Sequence, residues 1–301
     1  MRVLVTGSTG LIGTALLSRL ELGGDDPLRL VRGDRPVAPT GIRWDPETGV
    51  IDEEGLEGLD AVVHLAGERL DSGRWTHGRK ERIRRSRVEG TRLLAEALAR
   101  RRARPRVLVS ASGAGYYGNR GGDPLDESSG PGQGFLAELC DAWEKAAEPA
   151  ARAGIRVVHL RSGIVLASAG GALPRMLPAF RLGLGGPFGD GRQYLPWIAL
   201  DDLVRAILFA VRTDSLRGPV NTASSTPTTN GEFAAALGRV LRRPALLRAP
   251  AFLLRLLLGE MAEEALLAGQ RILPSRLLAA GFTFAHPEIE GALRHVLGRS
   301  S

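Results

Sequence analysis

The chain has 301 residues, a formal net charge of +7, 44% hydrophobic and 24% charged residues, and one cysteine, Cys140. That length buries a large core, as one α/β domain or one plus a smaller lobe, while a single cysteine excludes a disulfide framework and fits a reducing, cytoplasmic compartment. The opening residues read as a strand rather than a signal peptide. The most apolar late stretch, 249–258, is interrupted by Arg255 and too short to cross a bilayer, so it reads as a buried helix and no membrane role is expected.

In chain order, strand and helix signals alternate as a doubly wound parallel sheet requires. An apolar run, Val3–Val5, meets Gly7-x-x-Gly10-x-x-Gly13 directly, and helical apolar spacing follows at Leu11, Ala15, Leu16 and Leu20. Strand, glycine turn and helix stand in the order of a dinucleotide site: the first glycine turns sharply, the second lets backbone approach a pyrophosphate, and the third lets helix pack on strand. Further strands are read at 28–31, 60–67, 106–112 and 155–160, with helices at 86–98 and 135–151. From 170 to 191 the texture is loop-like, 198–212 is helical, 222–230 is irregular, and the remainder is mainly helical. The expected architecture is a Rossmann domain over 1–165, its sheet completed by parts of 196–222. A smaller, mainly helical C-terminal lobe, made of 166–195 and 223–301, covers the ligand cleft.

Lys80 and Lys145 are the only lysines; the rest of the positive charge is arginine. The runs at 79–87 and 100–104 lack the interleaved aromatic residues of a nucleic-acid surface and read as solvated helix faces. At the tip of the second strand, Arg32 offers a planar fork to a 2′-phosphate, which favours NADP(H) over NAD; the alternative is a solvated Arg32 with Asp34 turning back to the ribose.

Several segments together resemble the extended short-chain dehydrogenases/reductases: TGSTGLIG at 6–13, AVVHLAGE at 61–68, SRVEGTRLL at 86–94, SASGAGYYG at 110–118 and GDGRQYLPWIALDDLV at 189–204. The chain is similar in particular to an atypical epimerase-like branch of unknown substrate, at FLAELCDAWE, LRSGIVL and QRILPSRLLAAGFTF as well. The resemblance implies NADP(H) held by Gly7, Thr9, Gly10, Leu11, Ile12 and Gly13 at the pyrophosphate and by Arg32 at the 2′-phosphate. Leu65, Ala66 and Gly67 would line the adenosine side, with Arg87 and Ser110 as further contacts and Ile164 and Val165 near the nicotinamide. Glu68, Gln193 and Trp197 would face a small-molecule substrate. Trp197 stands where relatives carry a more polar residue, which argues against a nucleotide sugar. A homodimer through helices 86–98 and 135–151 is a further expectation.

The superfamily's chemistry rests on Tyr-x-x-x-Lys, two side chains on one helix face. None of the three tyrosines, 116, 117 and 194, has lysine four residues on; Arg120, Gly121 and Ile198 stand there, while Leu136/Cys140 or Phe135/Leu139 occupy the spacing in the expected helix. Two readings stay open. In one, an NADP(H)-dependent oxidoreductase acts on a small carbonyl or alcohol, with Ser112 and Tyr117 as oxyanion and proton partners and Arg120 or Arg161 lowering a tyrosine pKa. In the other, the protein binds NADP(H) without turnover. His64, inside an apolar strand, reads as a satisfied core histidine, Cys140 as an inert buried thiol, and Asp201–Asp202 as a helix cap; no His/Cys grouping has metal-ligand spacing.

Overall fold

The computed structural model describes residues 1–33, 41–71 and 73–299. The strands are β1 (Arg2–Thr6), β2 (Asp26–Arg32), β3 (Gly41–Asp45), β4 (Val50–Ile51), β5 (Ala61–His64), β6 (Val107–Gly113), β7 (Pro124–Leu125), β8 (Arg156–Ser162), β9 (Ile164–Leu166), β10 (Trp197–Ala199), β11 (Gly218–Thr222) and β12 (Arg271–Ile272). The helices are α1 (Leu11–Leu22), α2 (His77–Ala99), α3 (Phe135–Lys145), α4 (Glu148–Arg152), α5 (Leu173–Arg181), α6 (Leu200–Arg212), α7 (Asn230–Leu241), α8 (Ala251–Leu258), α9 (Ser275–Ala279) and α10 (Ile289–Val296), with a π-helical turn at Ala262–Leu267.

Eight strands form one sheet in the order β11-β8-β6-β5-β1-β2-β3-β4, parallel throughout except for the β3–β4 edge. The doubly wound expectation is met. The order reverses between β1 and β5, and the crevice beyond their carboxyl ends is where such sheets take ligands. β1 reads Arg-Val-Leu-Val-Thr, with only Arg2 exposed: a parallel strand covered on both faces needs a continuous apolar run rather than alternation. Val3, Val5, Val63, Val109 and Leu16 pack on one face of the sheet, and Leu4, Val62, Leu108 and Leu94 on the other. The C-terminal region builds its own core around Trp197, Phe233, Leu237 and Leu293.

Four sequence expectations change. The helix read over 86–98 begins at His77, because Thr76 accepts a hydrogen bond from Arg79 N and starts the helix ahead of the apolar stripe. The single helix read over 135–151 is two, α3 and α4, the second carrying Pro149 in its first turn, where proline's missing N–H costs nothing. The loop-like stretch 170–191 contains α5, whose Pro174 also sits in the first turn. The apolar stretch 249–258 is helical from Ala251, but none of its side chains is fully buried, and Phe252, Leu253, Leu256 and Leu257 are exposed. Among the described residues no helix is long and apolar enough to cross a membrane.

Candidate functional site

The turn between β1 and α1 is shaped by backbone contact. Gly7 has φ +64°, and a Cβ there would come within 2.8 Å of the Leu65 carbonyl carbon and oxygen, so the two strand ends at the switch point touch. A Cβ on Gly13 would lie 2.3 Å from the Gly7 carbonyl oxygen, which is how closely α1 packs on the turn. Gly10 caps α1 without a side-chain bond, leaving the first-turn N–H groups and the positive end of the helix dipole facing outward. Thr9 and Gly10 are exposed here, and Leu11 and Ile12 half-buried. This cradle fits an anionic diphosphate. Arg32, exposed at the tip of β2, two residues past the pairing of Thr6 with Leu30, is free to meet a phosphate at that rim. Asp34 lies outside the described residues.

A buried chain of polar groups ties this turn to the rest of the site. The Thr6 hydroxyl oxygen accepts from Leu65 N and Ala66 N, both at 3.0 Å. Its own hydrogen is therefore left for His64 Nδ1, 2.8 Å away. His64 must then carry its proton on Nε2, which donates to Thr91 Oγ1 at 3.0 Å, and Trp143 Nε1 donates to that same oxygen at 2.8 Å. Burial holds the His64 pKa at about 4, so the ring is neutral near pH 7. The expectation of a satisfied core histidine holds.

Beyond the carboxyl ends of β6 and β8 a cleft of about 300 Å³ opens. Its floor carries Arg87, Ser112, Cys140, Trp143 and Ile164; Leu136, Leu139, Leu195, Pro196, Glu264 and Gln270 line it as well. Arg87 is 8% exposed. Its Nη1 donates to the Glu68 carbonyl at 2.8 Å, and its guanidinium lies 5.0 Å from the Trp143 ring. Burial pushes its pKa down to about 10. The run 79–87 is therefore not uniformly solvated: Arg79 and Arg87 are buried. Glu68, expected at the substrate, meets Arg87 through its backbone oxygen and makes no ion pair with it among the described residues.

Ser112 Oγ donates to Glu144 Oε1 at 2.7 Å. Arg161 grips the same carboxylate with both arms, Nε to Oε1 and Nη2 to Oε2, each at 2.8 Å, and lies 3.4 Å over the Tyr116 ring. This buried, bidentate pair is the strong form of a charge-assisted hydrogen bond.

Several predicted residues stand elsewhere. Tyr117 is fully buried rather than at the cleft: its hydroxyl donates to Asn221 Oδ1 at 2.7 Å and accepts from Arg161 Nη1 at 3.1 Å. Arg161 is close, as foreseen, yet burial outweighs its charge and raises the Tyr117 pKa instead of lowering it, and Arg120 is exposed. Trp197 is a core residue, 1% exposed, donating to Thr228 Oγ1. Gln193 donates to the Phe188 and Leu266 carbonyls and holds two loops together. Ser110 is fully buried within β6, Ala66 is buried, Leu65 and Gly67 are half-buried, and Val165 packs on the main core. Leu136 and Cys140, one of the two pairs at the Tyr-x-x-x-Lys spacing, both face the cleft; burial pushes the Cys140 thiol up to about 12.

Sequence reasoning missed Glu264 and Gln270. Glu264 Oε1 and Oε2 accept from Phe135 N and Leu136 N at 2.8 and 2.7 Å, so a carboxylate from the C-terminal region caps α3, and burial raises its pKa. Gln270 Nε2 donates to the Gly118 carbonyl at 3.0 Å. Gln270 opens the QRILPSRLLAAGFTF segment but nothing there marks it as a cleft residue, and Glu264 has no local signal; each is defined by a partner more than a hundred residues away.

Compared with known proteins, residues 3–222 match the NAD dependent epimerase/dehydratase family. The chain belongs to that family. Residues 249–296 match a domain of unknown function (DUF1731). An epimerase family protein of Mycobacterium bovis is 44% identical over 297 residues, covering 99% of this chain and 98% of that protein. A crystal structure of the human epimerase family protein SDR39U1 with NADPH superposes with TM-score 0.88 at 35% identity, covering all of both chains. A Corynebacterium glutamicum structure described as a nucleoside-diphosphate sugar epimerase gives TM-score 0.82 at 37% identity, covering 99% of this chain and 58% of that one. For this family member the missing Tyr-x-x-x-Lys pair is therefore a property of the chain and not a sign of a different fold.

Proposed function

We propose that the protein is an NADP(H)-dependent oxidoreductase or epimerase-like enzyme acting on a small carbonyl or alcohol in the cleft floored by Arg87 and Ser112. The observation that carries this reading is the junction of two features at the carboxyl end of the sheet: a backbone cradle at the β1–β5 switch point and, beyond β6, a cleft with a buried cation and a hydroxyl. The binding of NADPH by the human relative supports the choice of coenzyme.

Gly7, Thr9, Gly10, Leu11, Ile12 and Gly13 would hold the diphosphate, Arg32 the 2′-phosphate, Leu65, Ala66 and Gly67 the adenosine side, and Ile164 and the cleft floor the nicotinamide end. When bound, the coenzyme supplies the hydride chemistry. The protein's part is to orient the substrate and polarise its oxygen. Ser112 gives its only hydrogen to Glu144, which Arg161 fixes in turn, so its Oγ is held at the cleft as an acceptor for a substrate hydroxyl. Arg87, with no salt bridge to a carboxylate among the described residues, stabilises negative charge developing on a substrate oxygen. Leu136, Leu139, Leu195 and Pro196 exclude water and suit a small apolar body. Tyr117 serves as a strut between Arg161 and Asn221 rather than as a proton donor.

A non-catalytic NADP(H) sensor is the second reading, favoured by Leu136 and Cys140 at the spacing where a proton-transferring pair would stand. NADPH oxidation against a panel of small aldehydes and ketones separates the two. Turnover that falls at least about tenfold in Ser112→Ala and in Arg87→Met, with NADPH affinity changed less, supports the enzyme. NADPH binding with no turnover of any carbonyl supports the sensor, and turnover indifferent to both substitutions removes the site assignment.

A further inference from the structure

Three of the chain's five histidines, 64, 159 and 77, are scattered, but His286 and His295 stack on each other with ring centroids 4.0 Å apart and planes 19° from parallel. Asp201 joins them: its Oδ2 lies 2.5 Å from His295 Nε2. One ligand atom from each residue falls within 4.8 Å of the other two. The three come from separate elements. Asp201 is in the first turn of α6, His286 in the turn before α10, and His295 in the last turn of α10.

This juxtaposition is built rather than incidental. Asp202, fully buried, accepts from Ala285 N and His286 N, both at 2.8 Å, so the residue beside Asp201 clamps the backbone that carries His286. Ala292 and Leu293 anchor α10 in the C-terminal core and fix the base of His295. Asp202 also pairs with Arg205, so its charge is used in the clamp and Asp201 is left for the cluster. Among the described residues the His286 ring nitrogens have no hydrogen-bond partner, although the ring lies against a histidine and near a carboxylate. Sequence spacing hid the cluster, because 85 residues separate Asp201 from His286.

We infer that Asp201, His286 and His295 form a divalent-cation site of zinc type, with two imidazole nitrogens and one carboxylate oxygen, the remaining position open to water. That donor set suits zinc, and nickel or copper, over magnesium or calcium, which prefer oxygen. Ligand atoms around a tetrahedral zinc at about 2.0–2.1 Å are drawn closer together than 4.8 Å. The side chains of His295 and Asp201 are 44% and 61% exposed, so they are free to close on an ion while the Asp202 clamp holds the backbone. The bound ion staples the segment after Phe284 to α6, on residues that do not line the cleft.

The test uses tag-free full-length protein and zinc chloride in isothermal calorimetry and thermal melts. One equivalent of zinc is expected, with a melting temperature raised by several degrees at saturation. His286→Ala and His295→Ala should each weaken zinc at least about tenfold, since even second-shell partners of metal ligands cost that much. Cobalt should give tetrahedral absorption bands in the parent protein that both variants lack. NADPH affinity of the zinc-free variants should match the parent, which separates loss of the site from loss of the fold. Absence of zinc uptake at about 1 mM overturns the inference, since about 10⁻³ M is the weak end even for calcium modules. So does uptake that survives either histidine substitution.

Discussion

The glycine turn and the cleft beyond β6 serve one ligand path but are made differently. At the turn, contacts are backbone to backbone: the Gly7 carbonyl oxygen beneath Gly13, and the Leu65 carbonyl against Gly7. All of that is dictated by residues within one motif and one neighbouring strand. At the cleft, shape and charge come from side chains delivered by α2 (Arg87), β6 (Ser112), α3 (Glu144, Trp143), β8 (Arg161) and the 264–270 segment (Glu264, Gln270). A backbone-made site tolerates sequence drift outside its glycines. A side-chain-made site changes its chemistry with single substitutions, which is how this chain keeps the fold while lacking Tyr-x-x-x-Lys.

That contrast can be broken first at the buried ion pair. Arg161→Met strands Glu144 without its cation among β8, α3 and the Ser112 hydroxyl, and should cost about 3–5 kcal/mol of stability in urea unfolding. A loss below about 1 kcal/mol, the range of exposed pairs, would mean that the pair is solvated and the cleft is not side-chain-built.

The His64 strut joins the two regions and gives a pH dependence of known sign. The folded ring takes a proton only near pH 4, whereas the unfolded chain takes one near 6.5. His64 therefore contributes stability that is full above pH 6.5 and is lost as pH falls toward 4, by about 3 kcal/mol over that window. His159, also held low by burial, adds to the same slope. Urea midpoints measured at pH 7 and pH 5 should drop for the parent protein and drop less for His64→Gln; equal drops would remove His64 from the account.

A smaller effect is expected at the rim of the turn. Arg32→Ala should weaken NADPH by about tenfold or more while leaving NADH nearly unchanged, because a charge-assisted bond to a 2′-phosphate contributes about 1.5–3 kcal/mol. Equal losses for both coenzymes would place Arg32 outside the phosphate site. The smallest effect is expected on α8: Leu256→Ser, at a side chain 67% exposed, should change stability by no more than about 0.5 kcal/mol. A loss of about 2–5 kcal/mol would restore the buried helix that the sequence suggested.

The same division explains what was legible in the sequence. The strand–glycine–helix order, the parallel sheet and Arg32 at the tip of β2 follow from local patterns, and the structure has them. Ser112 was legible as a small residue at the carboxyl end of a strand. Tyr117 and Trp197 were misjudged because tyrosine and tryptophan near a turn read equally as cleft or core; only Asn221 and Thr228, brought in from distant positions, decide for the core. Glu264 and the Arg161–Glu144 pair carry no periodic or motif signal, since their meaning lies in partners that the fold supplies. Helix α5 was hidden by its prolines, and α8 by an apolar content that ordinarily marks a core.

The central claim is a nicotinamide dinucleotide phosphate seated on the β1–α1 turn. Calorimetric titration of ligand-stripped protein with NADPH tests it most directly. One equivalent should bind, more tightly than NADH, and Gly13→Val, whose side chain has no room beside the Gly7 carbonyl, should abolish the heat while Ser112→Ala retains it. Absence of heat with either coenzyme in either redox state, or binding untouched by Gly13→Val in a folded protein, would contradict the account.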